Sequence, residues 1–125
     1  MSVESMLSPA RSLGDESALA GLADDPGVHV VYRPGGRALY VGLSGSTRSR
    51  VRMHLTGDRE ASILHEKVGR ILDKELGRTA TREEIRAWLE RCTFRVTYTE
   101  DTRQVKAALI NELSPELNEV TPKVD

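Results

Sequence analysis

From residue 93 to 99 the chain alternates side by side, with Phe94, Val96 and Tyr98 falling on one face, which predicts a half-buried strand. Two further stretches are β-branched and aromatic: residues 28–33 (VHVVYR) and 38–43 (ALYVGL). Pro34-Gly35-Gly36 stands between them as a turn, so the pair predicts an antiparallel hairpin. The period then changes. Val51 and Leu55 lie four apart in a helix over 47–55, and Arg50 and His54, also four apart, share a second, polar face. Ile63, Leu64, Val68, Ile71, Leu72 and Leu76 recur at helical spacing over 62–76, with Gly77 as the stop. Thr81 and Glu84 make a capping box that opens a helix with Ile85, Trp88 and Leu89 on its inner face. Val105, Ala108, Leu109 and Leu113 give a last helix that ends before Pro115, and Asp15 begins a short one that Asp24-Asp25-Pro26-Gly27 breaks.

The predicted order is α-ββ-α-α-α-β-α, an α/β (α+β) domain covering 15–125 with its core at 26–120. Residues 1–14 are polar and without periodicity, and are expected to form a flexible leader. At 125 residues the chain is one domain by length and large enough for a core without staples. The apolar runs fall short of a membrane span, the N-terminus does not read as a secretory signal, and Cys92 is the only cysteine. A cytoplasmic location, with no membrane contact, is the expectation. Trp88 and Cys92, four apart, read as packing.

Charge changes the picture through its distribution. The net charge is −1, from 18 Lys+Arg against 19 Asp+Glu, which does not describe a protein that coats nucleic acid. Yet Arg33, Arg37, Arg48, Arg50, Arg52 and Arg59 face one acid, Asp58, over 33–59. Such a segment suits one stretch of phosphate backbone; its plainer account is a solvated helix face. Two constellations could carry chemistry. His29 and Tyr40 sit on adjacent strands of the hairpin, where their side chains can share a face and handle a water molecule. Arg50 offers a forked contact to phosphate oxygens, with the His54 imidazole beside it.

These residues, in this order, carry a family resemblance. Pro26-Gly27-Val28-His29 and Leu39-Tyr40-Val41-Gly42 resemble the two halves of the GIY-YIG nuclease signature, with Val28 for Ile, His29 for the first Tyr and Val41 for the second Ile. Arg50 falls where that family carries its arginine, and His54 matches the histidine or tyrosine one turn later. Leu109-Ile110, Pro115 and Asn118 resemble its closing pattern. The resemblance implies a three-stranded antiparallel sheet flanked by helices, and divalent-metal-dependent hydrolysis of DNA phosphodiester bonds with Mg2+ or Mn2+. It implies catalytic roles for His29, Tyr40, Arg50, His54 and Asn118, and DNA contacts from Arg48, Arg50 and Arg52. DNA is the expected partner, with targeting supplied by a possible partner protein.

The resemblance breaks at the metal. Three residues before Leu109, where the family keeps its ligating glutamate, stands Lys106, whose ammonium donates only and repels a cation. Glu112 lies roughly 240° further around a helix. Three accounts stay open: a carboxylate such as Glu66 or Glu100 fills the site, the Lys106 ammonium stands in for the ion, or hydrolysis has been lost and a degenerate domain binds nucleic acid or a protein without cutting. His29, Tyr40, Arg50 and Lys106 are expected to meet on one concave surface.

Overall fold

The computed structural model describes residues 2–118, and the expected domain's last residues, 119–125, lie outside them. A four-stranded sheet forms the centre: β1 (Arg11–Ser12), β2 (Gly27–Tyr32), β3 (Ala38–Ser44) and β4 (Thr93–Tyr98), in the order β1-β4-β2-β3. Every pair is antiparallel. Five helices surround it: α1 (Glu16–Ala20), α2 (Thr47–Thr56), α3 (Ile63–Leu76), α4 (Arg82–Glu90) and α5 (Thr102–Leu113). Mixed α/β is therefore the observed class, with one strand more than expected.

The extra strand comes from the leader, and the expectation of a flexible leader is corrected with it. Residues 3–6 form a 3-10 turn, and Arg11 and Ser12 pair with Phe94 and Thr93. Leu13 is completely buried and Leu7 nearly so. Glu112 on α5 fastens the turn, accepting from Val3 N at 2.8 Å and Glu4 N at 3.3 Å. Burial of two leucines and satisfaction of these backbone donors offset the ordering of a polar segment.

β2 lies between β3 and β4 and is buried along its whole length, so it has no polar face to alternate with. Its two faces serve two cores. Val31, with Leu39, Tyr40, Phe94 and Val96, packs under α2, α3 and α4 against Val51, Leu55, Leu64, Val68, Ile85 and Leu89. Val28, Val30 and Val41 face the other way and meet Leu109 of α5, together with Leu7. Thus α2 and α5 lie on opposite faces of the sheet.

Helix ends follow the sequence closely. Asp15 caps α1, Ser62 caps α3, and Thr81 and Glu84 close a reciprocal capping box on α4. Gly77 ends α3 at φ 71°, where a Cβ is strained. Tyr98 departs from its strand's alternation: it is exposed, and its hydroxyl accepts from Ala23 N at 2.8 Å. Cys92 is buried and Trp88 packs at the core's margin under the Arg33 guanidinium, as expected of packing residues. No helix among the described residues is long and apolar enough to cross a membrane.

Candidate functional site

His29 pairs with Gly42 and Val31 with Tyr40 across the hairpin, so His29 and Tyr40 lie on one face, diagonal to each other. Their ring centroids are 6.3 Å apart. α2 crosses above this face and brings His54 to both: 4.9 Å from the His29 ring and 5.9 Å, edge-on, from Tyr40. The two histidines share a hydrogen bond, Nε2 to Nε2, at 2.9 Å. Arg50, one turn earlier on α2, is exposed.

α2 is held in place from its first turn. Thr47 is buried, and its N–H and hydroxyl both donate to the Asp25 carbonyl, at 3.0 and 2.7 Å. This tether ties the start of the helix to the chain entering β2, which fixes Arg50 and His54 relative to His29. Gly42 makes the close approach possible. A Cβ there would lie 2.7 Å from Cε1 and Nε2 of His29 and 3.0 Å from Cε2 of Tyr40. The glycine is part of the hairpin signature, yet its role as the floor under the His29 ring is visible only in the fold.

The site is dry at its base. His29 is 1% exposed and His54 2% exposed. Burial above all, with the charges of Arg50 and then Lys106 added, pushes His29 down to about 3. Burial first, then His29, Arg50 and His65, hold His54 well below the usual imidazole value. Both rings are therefore neutral near pH 7. Burial also raises Tyr40, with the Arg50 charge opposing it, so its hydroxyl keeps its proton. A base or water anchor at His29 is not what this environment makes: a ring that protonates only near pH 3 takes up protons poorly.

The other expected residues fall in different places. Lys106 sits on α5, the helix packed on the opposite face of the sheet from α2, yet its charge reaches His29, as that of Arg50 does. Arg48 and Arg52 flank Arg50 but are paired with acids, Arg48 with Asp24 at 3.9 Å and Arg52 with Glu16 at 3.6 Å. Among the described residues Arg50 and Lys106 have no ion-pair partner. Asn118 is near Tyr40 in sequence register only through β3's edge: it accepts from Val41 N at 2.7 Å and donates to Val41 O at 2.9 Å. With Glu116 N and Leu117 N donating to Ala38 O and Leu39 O, it seals that edge strand. Its observed work is to hold the backbone.

Two residues of the network carry no signature in the sequence. Ser62, 1% exposed, meets His54 Nδ1 with its hydroxyl at 2.8 Å. His65, fully buried, contacts the His54 carbonyl through Nδ1 at 3.1 Å, so that nitrogen carries the proton. Ser62 was legible only as the first residue of a helix.

A divalent ion does not fit this donor set. The Nε2 atoms that could serve as ligands are hydrogen-bonded to each other at 2.9 Å, so one of them carries a proton, and imidazole nitrogen is not the donor that magnesium selects. The charges that act on His29 are an arginine and a lysine. Glu66, considered above as a substitute ligand, is held by Arg59 at 2.6 Å and Arg70 at 2.7 Å. Hard cations need free anionic oxygens, which the two imidazoles and the paired Glu66 do not offer; Glu100, the other substitute considered, is exposed just after β4. No protein-family model matches the chain, and no curated protein matches it either.

Proposed function

We propose that this chain is a DNA-binding domain of the GIY-YIG type that grips a backbone phosphate beside Tyr40 and Arg50 and does so without a divalent ion. The observation that carries the reading is the electrostatic arrangement. Arg50, free of any acidic partner among the described residues while its neighbours Arg48 and Arg52 are paired, stands by a neutral, buried histidine pair. A guanidinium in that setting has forked donors and an uncompensated charge for an anionic oxygen. Lys106 adds a second positive field from the far side of the sheet. Together they give the same net charge, +2, that a carboxylate, a divalent ion and an arginine would give.

The GIY-YIG resemblance of the hairpin, Arg50 and His54 supports DNA as the source of the phosphate. The order of elements supports it too: a hairpin followed by α2, with α5 the last element among the described residues. Hydrolysis assisted by Mg2+ or Mn2+, which the resemblance implied, is not carried into this reading, because the donors do not suit the ion.

Fluorescence anisotropy with labelled duplex DNA tests the reading. Binding is expected at low salt, unchanged by chelator. Arg50→Ala is expected to weaken it about tenfold, the scale of one charge-assisted contact, and to reduce the salt slope by about one. Absence of binding to duplex and branched DNA at low salt would remove DNA as the partner. Plasmid nicking that needs magnesium or manganese and disappears in Arg50→Ala would instead make the domain an endonuclease.

A further inference from the structure

We propose that Ser62 is a positioning residue that fixes the direction of a buried hydrogen-bond chain, so that His29 carries its proton on Nδ1. The chain runs Ser62 Oγ, His54 Nδ1, His54 Nε2, His29 Nε2, with steps of 2.8 and 2.9 Å. Its far end, His29 Nδ1, is buried and has no protein partner. Two directions are conceivable, and the count of stranded groups separates them.

Ser62 Oγ already accepts from His65 N, at 3.1 Å, as the cap of α3. Its one proton then goes to His54 Nδ1. His54 consequently carries its proton on Nε2 and donates to His29 Nε2, and His29 holds its own on Nδ1. One group is left over, the His29 Nδ1–H. In the reverse direction His54 Nδ1–H donates to Ser62, whose hydroxyl proton is stranded in a site 1% exposed, and His29 Nδ1 is stranded too. Buried polar groups without partners are costly, so the chain with fewer of them prevails.

His65 does not disturb this, because its ring donates to the His54 carbonyl and not to Ser62. The neutral state of both imidazoles, which burial enforces, keeps the chain at one proton per ring. A phosphate held by Arg50, one turn from His54 on the same helix, would act on this donor through its charge, an expectation that rests on the phosphate reading above; the direction of the chain does not.

Long-range proton–nitrogen correlation spectra of the imidazoles in the intact protein test it. The unmodified protein is expected to show His54 protonated on Nε2 and His29 on Nδ1. Ser62→Ala makes the two directions equal in stranded groups, so a mixture of tautomers is expected, and Ser62→Thr, which keeps the hydroxyl, restores one form. His29 protonated on Nε2 in the unmodified protein overturns the proposal, even if Ser62→Ala fails to fold. Tautomers unmoved by Ser62→Ala overturn the role of Ser62. Adding a DNA duplex is expected to shift the His29 Nδ1–H resonance. Expected tautomers with no such shift leave the chain's direction standing and count against the phosphate reading.

Discussion

Acidification from pH 7 to pH 5 is expected to destabilise the fold, by about 2 kcal/mol through His29 alone and further in the same direction through His54. The sign follows from where the proton goes. His29 is pushed down to about 3 in the folded protein from an ordinary 6.5, and His54 moves the same way, both chiefly by burial. The unfolded chain therefore binds protons that the folded chain refuses. Stability from these groups is fully present above the unfolded value and is lost as pH falls below it, at roughly 1.4 kcal/mol per pH unit for His29. For His29 the loss continues to about pH 3. Carboxylates held low by partners, such as Glu84 beside Arg78 at about 2, lose their contribution only in more acid solution and on an exposed surface, so they do not mask the effect. Urea unfolding at pH 7, 6 and 5 with an unchanged slope checks this. A midpoint that stays put down to pH 5 would mean that the rings reach water and that the neutral pair is not the native state.

Much of this was legible in the residues. The alternation of Phe94 and Val96, the Thr81–Glu84 box, the hairpin turn and the period of α3 are local signals, and each marks an element that the fold contains. His29 and Tyr40 were also readable as neighbours on the hairpin, whereas His54 joined them only through the family resemblance. The rest depended on partners distant in sequence. Arg11 and Ser12 are a strand only because β4 offers an edge, and a polar dipeptide has no period to announce it. Asn118 looked like a candidate for the site and proved a clamp on the backbone of Val41, since its partner is set by how the chain returns to β3. Which face of the sheet α5 takes follows from Leu109 meeting Val28 and Val30, a choice between two buried faces of β2 that its sequence does not assign to either helix.

Gly42→Ala is expected to cost about 3 kcal/mol and to separate His29 from His54, although it adds one methyl group in a strand. The methyl would stand 2.7 Å from two atoms of the His29 ring and 3.0 Å from Tyr40. Real contacts of carbon do not come so close, so the ring must move. It has little room: His29 lies in the central strand, with β3 on one side, β4 on the other and His54 above. Overpacking of this kind costs about 1–3 kcal/mol, and a buried ring nitrogen that loses its partner adds a similar amount. A strand position otherwise gains from replacing glycine, so the sign of the effect discriminates. Equilibrium unfolding gives the cost, and loss of the proton signal shared by His29 and His54 gives the cause. DNA binding is expected to weaken as well, because Tyr40 and His29 move while Arg50 keeps its place on the tethered helix. A variant as stable as the parent, with its imidazole spectrum unchanged, would show that Gly42 is not the floor under His29.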